Sequence, residues 1–328
     1  MVETQRAEPV PVSASQRSRA AALATRVMLG TFTQFVGTGP SGVRLARRTI
    51  ATLMRAFGSM PTGTTIEKVD AGGVRGEWVY GPGVDRTSAR VVYFLHGSAY
   101  MMCSPATHRS LAARLSQITG LPAFVLDYRL APEHRFPAAA DDVDAGWEWL
   151  IARGYDPADI AVVGDSAGGH LAAAFLLNRA AAQQSLPACA VMFSPVVDLT
   201  FGLAAQQERV RRDPMVSAAR ARRLVELYTV GADFQDPRLT LRYGSARDCP
   251  PVLVQSGGAE MLQADARHFA ENFAARGGVV TNELWPEQMH VFQALPRLGP
   301  EPDAALRRVR DFVADAFDLS RTEEGVAS

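Results

Sequence analysis

Short apolar runs closed by glycine or proline alternate along most of the chain with longer segments whose apolar residues recur every three to four positions. That rhythm is the one expected of strands buried on both faces between packed helices. The strand candidates are TTIEKV and GEWVYGPG, with Ala71-Gly72-Gly73 as the turn between them, then Val91–Leu95, PAFVLDYRL, Ile160–Val163, ACAVMFSPV, PPVLVQSGG and VVTNELWP. Helices are expected near Arg19–Val36, Gly42–Phe57, Ala138–Arg153, Ala167–Ala182, Leu262–Ala275 and Pro302–Phe317. The alternation predicts an α/β fold with a doubly wound, mostly parallel sheet.

Two stretches depart from it. Residues 199–242 carry ERVRRDP and the amphipathic ARARRLVELY but no strand, so they read as a helical insertion above the sheet. Residues 1–17 read as a disordered segment, 18–60 as N-terminal cap helices, 61–320 as the catalytic domain and 321–328 as a disordered tail. In the second cap helix, Leu45, Ile50, Leu53 and Met54 are expected to face the body. Its Arg44, Arg47, Arg48 and Arg55 form a basic face, read as solvated, with contact to a membrane surface as the weaker alternative.

Composition narrows the classes. The 328 residues are 47% hydrophobic and 21% charged, enough for a large core. Thirty-four basic residues balance 34 acidic ones, which leaves no electrostatic footprint for nucleic acid. Cys103, Cys189 and Cys249 are odd in number and widely spaced, without a CxxC pair; a disulfide framework or zinc knot is not expected, and a reducing cytoplasm is. Arg26 breaks the early apolar stretch, so neither a signal peptide nor a membrane span is expected.

The chemistry centres on IAVVGDSAGGH, residues 160–170. An apolar strand there runs into Ser166 and then a helix, with Gly164 and Gly168 two residues to either side. A nucleophile elbow needs this G-x-S-x-G pattern, because the turn is too sharp for side chains at those positions. The plain alternative is a strand–helix turn capped by a serine. A serine nucleophile needs a base, an acid to orient it, and donors for the oxyanion. Of six histidines, His108 and His268 fall on expected helix surfaces, His134 lies in a polar loop, His170 opens the helix behind the serine, and His96 belongs to an HG turn. His290 alone follows the last strand, where a loop can lower an imidazole onto Ser166. Glu260, directly after PPVLVQSGG, is the expected acid; Asp265, inside the next helix, is the alternative and should point away.

These residues resemble the hormone-sensitive-lipase-like carboxylesterases of the α/β-hydrolase fold over roughly residues 90–293. HGSAY stands for the family's HGGG(F/Y), DYRLAPEHRFPAA for its DYRLAPE-x-FPA, and GDSAGG matches outright; SPVVDLT, DPRL and HVF follow in order. The resemblance implies a Ser–His–acid esterase acting on small-molecule esters of short or medium acyl chain, with a helical cap; such a mechanism requires no cofactor or metal, and the sequence holds no HExxH, P-loop or dinucleotide motif. It also implies backbone N–H donors at Gly97, Ser98 and Ala167 for the oxyanion. Ser98 and Ala99 replace family glycines and Glu260 the commoner aspartate. Two conformations are open at Ser98, a negative φ that a serine fits and a positive one that carries strain; the negative φ is expected, since Ser166, His290 and Glu260 are all kept. Amide or acetyl hydrolysis on a secondary metabolite, and non-catalytic ligand binding, are the competing readings.

Overall fold

The computed structural model describes residues 9–20 and 39–327. The eight strands are β1 (Thr65–Ala71), β2 (Val74–Tyr80), β3 (Val91–Leu95), β4 (Ala123–Leu126), β5 (Ile160–Asp165), β6 (Cys189–Phe193), β7 (Val252–Gly257) and β8 (Val280–Trp285). They form one sheet in the order β1-β2-β4-β3-β5-β6-β7-β8. Only β1–β2 and β2–β4 pair antiparallel; the rest are parallel. The β1–β2 hairpin turns at Gly72 and Gly73, both at positive φ (63° and 79°), which side chains would resist.

The α-helices are α1 (Pro40–Phe57), α2 (Pro105–Thr119), α3 (Ala138–Ala152), α4 (Ala167–Ala181), α5 (Gly202–Val210), α6 (Ala218–Thr229), α7 (Gln263–Ala275) and α8 (Glu301–Ala327). Strands β3 to β7 are buried along their whole lengths, which explains their unbroken apolar runs. One core packs α3, α4 and the insertion helices onto the sheet; a second packs α2 and α8 onto the other face. The parallel strands run their carboxyl ends to one edge, where β5, β7 and β8 deliver the loops of Ser166, Glu260 and His290.

Four expectations are corrected. Residues expected to be disordered before position 18 include a docked stretch: Ser15 N–H donates to Glu301 Oε1 (2.7 Å), and Ser18 Oγ to Glu301 Oε2 (2.6 Å). This pins residues 15–18 to the start of α8, whose sequence partner lies some 286 positions away. The tail expected to be disordered continues α8 to Ala327. In α1 the expectation fails at Leu45, which is 54% exposed, while Ile50 and Met54 pack on the cores as expected and Val43 and Ala46 are the fully buried positions. Arg47 is turned inward from the basic face: Nε donates to Met101 O (2.8 Å), Nη2 to Ala131 O (2.9 Å), and both terminal nitrogens to Glu133. Most of the helix expected at Arg19–Val36 lies outside the described residues. Among those described, no helix is long and apolar enough to cross a membrane.

Candidate active site

Ser166 stands between the last residue of β5 and the first of α4 with φ 53° and ψ −116°. That backbone is strained for a residue with a side chain, at a cost on the order of 1–3 kcal/mol. The surroundings hold it: Ser166 N–H donates to Phe193 O (2.9 Å), and its carbonyl accepts the N–H groups of Val196 (3.1 Å) and His170 (3.2 Å). The flanking glycines are steric requirements. A Cβ on Gly164 would lie 2.3 Å from Gly168 O, and one on Gly168 would lie 2.0 Å from Leu95 O. The serine is therefore more than a helix cap, and its side chain makes no cap hydrogen bond.

His290 comes down on it from the loop after β8. Its Nε2 lies 3.0 Å from Ser166 Oγ and its Nδ1 2.6 Å from Glu260 Oε2. Glu260 is 1% exposed, and its other oxygen accepts from Ser194 Oγ (2.8 Å) and Gly257 N–H (2.6 Å). Because the carboxylate can only accept, Nδ1 carries the proton, and the Nε2 lone pair faces the serine hydroxyl. Burial pulls the His290 pKa down, but the hydrogen bond to Glu260 and the charges of Glu260, Asp213 and Asp165 outweigh it and leave the group above its usual 6.5. Asp265 touches neither member of this chain; it accepts Val197 N–H and Asp198 N–H (both 2.9 Å), and burial pushes it to about 7.

The oxyanion loop differs from expectation twice. Gly97 N–H donates to Asp165 Oδ1 (3.0 Å), so it is spent inside the protein and is not a free donor. Glycine is needed there for a different reason, since a Cβ would sit 2.2 Å from Asp165 Oδ2. Ser98 has φ +98°, not the expected negative value, and Ala99 and Tyr100 follow at 54° and 60°. Three successive side-chain-bearing residues thus occupy the left-handed side of backbone space. The loop is held by Met101 N–H and Met102 N–H donating to Ser98 O (3.2 and 3.1 Å) and by Cys103 Sγ donating to Ser98 Oγ (3.0 Å). Tyr100 also stacks on Tyr228 of α6, with centroids 4.2 Å apart. Among the described residues, no acceptor takes the N–H of Ser98, Ala99 or Ala167. Ala167 opens α4, whose N-terminal dipole adds to any anion held there.

Three of the remaining histidines are buried beside the site. His108, expected on a helix surface, is buried in α2 with Nε2 3.3 Å from the Asp165 carboxylate. Burial lowers His96 to about 3 and His170 to about 4, so both are neutral. His96 stacks on Tyr128 (4.3 Å), and His170 Nε2 lies 3.1 Å from Leu239 O. Sequence reasoning missed two supporting residues. Asp165 orients the HG turn through Gly97, and Ser194 joins the two loops by donating to Glu260 while accepting Val291 N–H (3.0 Å). Asp165 was visible as the residue before the nucleophile, and Ser194 as the first residue of SPVVDLT, though neither segment shows which group its side chain meets. No group of three or more His, Cys, Asp or Glu among the described residues is placed to hold a metal.

Residues 91–294 match the family described as the alpha/beta hydrolase fold. The chain belongs to that family. An acetyl-hydrolase of Streptomyces hygroscopicus is 36% identical over 273 residues, covering 83% of this chain and 88% of the relative. A carboxylesterase/phospholipase, LipF, of Mycobacterium tuberculosis is 34% identical over 268 residues, covering 77% and 70%. The crystal structure of an esterase from the bacterial hormone-sensitive lipase family superposes with a TM-score of 0.83 at 31% identity, covering 93% of this chain and 99% of that one. Within the α/β-hydrolase family the chain falls among the hormone-sensitive-lipase-like bacterial carboxylesterases, the group its DYRLAPE and GDSAGG segments resemble.

Proposed function

We propose that this chain is a serine hydrolase that cleaves carboxylic esters of short to medium acyl chain through an acyl-enzyme. The observation that carries the reading is the continuous chain from Ser166 Oγ through His290 to Glu260, at 3.0 and 2.6 Å. His290 Nε2 takes the serine proton as Oγ attacks the ester carbonyl. The imidazolium so formed is stabilised by the buried Glu260 carboxylate. The tetrahedral oxyanion is received by the N–H groups of Ser98, Ala99 and Ala167, which have no acceptor among the described residues; Gly97 is left out because Asp165 already holds its N–H. His290 then returns the proton to the departing alcohol, and the same base activates a water that releases the acid. We place the enzyme in a reducing compartment, on the support of three unpaired cysteines.

The test is covalent labelling with a fluorophosphonate together with hydrolysis of p-nitrophenyl esters from C2 to C12. Labelling should be confined to Ser166, and Ser166→Ala or His290→Ala should lower kcat by at least ~10³ while the fold survives. Ester hydrolysis persisting near the native rate in Ser166→Ala would overturn the mechanism. The acetyl-hydrolase relative supports a second reading, removal of an acetyl group from a secondary metabolite. Faster turnover of acetyl amides than of acetyl esters would favour it.

A further inference from the structure

The insertion is tied to the loops of Glu260 and His290 by two side chains, Arg211 and Asp213. Arg211 Nη1 donates to Gly258 O (3.3 Å) and Glu287 Oε1 (2.9 Å), and Nη2 donates to Glu287 Oε2 (2.6 Å). Gly258 lies two residues before Glu260 and Glu287 three before His290, so one guanidinium spans both loops. Asp213 reaches further in. Its Oδ1 accepts Met215 N–H (2.7 Å) and Val216 N–H (3.2 Å), closing its own turn, while Oδ2 accepts Met261 N–H (2.9 Å), the peptide directly after Glu260.

A turn alone does not need this charge. An asparagine closes such a turn equally well, whereas a partly buried carboxylate carries a desolvation cost. Burial does raise the Asp213 pKa, opposed by the main-chain hydrogen bonds from Met261 and Met215 and by His290, while Glu260 adds to the rise. Among the described residues no arginine or lysine is ion-paired with it; the cation that acts on it is His290. Seen from His290, the facing charges are Glu260 from the loop after β7, Asp165 from the end of β5 and Asp213 from the insertion. Arg211 and Glu287 neutralise each other on the rim.

We propose that Asp213 is a positioning residue for ester hydrolysis: it fixes the backbone that carries Glu260 and supplies a second carboxylate to the imidazolium that His290 becomes on taking the serine proton. The inference rests on the triad reading given above. It makes the insertion a structural part of the catalytic machinery.

The experiment is steady-state kinetics on p-nitrophenyl butyrate from pH 5 to 9 for Asp213→Asn, Asp213→Glu and Ser166→Ala, with circular dichroism and a thermal melt for each. Asp213→Asn keeps the shape and loses the charge. The acid limb of its kcat/KM profile should move down by ~0.3–1 pH unit, and its plateau kcat should fall ~5–50-fold with KM within about threefold. Asp213→Glu keeps the charge but displaces Met261, so its kcat should fall while the limb stays in place. A folded Asp213→Asn with native kcat and an unmoved limb would overturn the proposal. If the asparagine variant does not fold, the glutamate variant decides, and native kcat there overturns it equally. Activity surviving in Ser166→Ala would remove the triad reading and this inference together; an inactive Ser166→Ala beside an unchanged Asp213→Asn would remove the inference alone.

Discussion

At Ser98 the chain holds a side chain where φ is +98°. The N–H proposed to receive the oxyanion belongs to the main chain, so the side chain is not needed for donation, and the strain serves only to keep the serine. Ser98→Gly should therefore stabilise the protein by about 1 kcal/mol, seen as a melting temperature raised by ~2 °C, with kcat changed no more than a few-fold. A lower melting temperature would mean that the Cys103–Ser98 contact outweighs the backbone strain. Glu260 and Asp265 are both buried, but only Glu260 reaches His290. Glu260→Gln should lower kcat by ~10²–10⁴, and Asp265→Asn by less than ~10-fold; rates in the opposite order would transfer the acid's role. The pH dependence follows from the raised His290 pKa. His290 must be neutral to act as base, so kcat/KM should rise with pH through a limb above 6.5. The same shift contributes stability that is complete below the unfolded value and is lost as pH climbs through the folded one. An acid limb below 6.5 would contradict the charge arrangement around the ring.

Elements meet the site through single side chains more than through broad faces. Helix α1 reaches the oxyanion loop by Arg47, whose guanidinium takes the carbonyls of Met101 and Ala131 as well as both oxygens of Glu133. Helix α6 reaches it by Tyr228 stacked on Tyr100. Half of Arg47's bonds go to partly buried main-chain carbonyls, which are left without a donor when it is removed. Arg47→Ala should destabilise the protein by ~1–3 kcal/mol and lower kcat more than it raises KM, because the loop proposed to receive the oxyanion loses its outer anchor. Arg47→Lys should recover only part of this, since an ammonium cannot span three acceptors in fixed geometry. Full activity and an unchanged melt in Arg47→Ala would show that Tyr100 and the Ser98 turn hold the loop by themselves.

For the whole molecule, the α/β body and its additions are continuous. The segment around Ser15–Ser18 is bonded to Glu301, and α1 is bonded to the DYRLAPE loop through Glu133, so the N-terminal part is joined to both the first and second halves of the catalytic domain. Removing residues 1–57 should lower the melting temperature and cut kcat at least ~10-fold, with added aggregation from the apolar surface uncovered under Val43 and Ala46. A truncated protein with native activity would place these segments outside the working enzyme. The insertion, through Arg211 and Asp213, is bonded to the loops of Glu260 and His290 at that edge.

Much of this architecture was legible in the sequence because it rests on short-range rules. Buried parallel strands need unbroken apolar runs, a sharp strand-to-helix turn needs glycines two residues either side of the serine, and a paired Gly72-Gly73 marks a hairpin. Ser166, His290 and Glu260 could be picked out on that basis, since each follows a recognisable strand at the edge where α/β sheets gather their loops. What the sequence did not carry was the choice of hydrogen-bond partners across long separations. Asp165 captures Gly97 N–H from 68 positions away, Arg47 turns inward to Ala131 from 84 away, and Asp213 finds Met261 from 48 away. The sign of φ at Ser98 belongs with these, because an isolated serine prefers negative φ and only the closed loop from Ser98 to Cys103 holds it positive. Local pattern fixes which face of an element is apolar and where the chain must turn. Which donor meets which acceptor is decided when distant segments are packed together, because a buried polar group takes whatever partner the tertiary structure brings within about 3 Å.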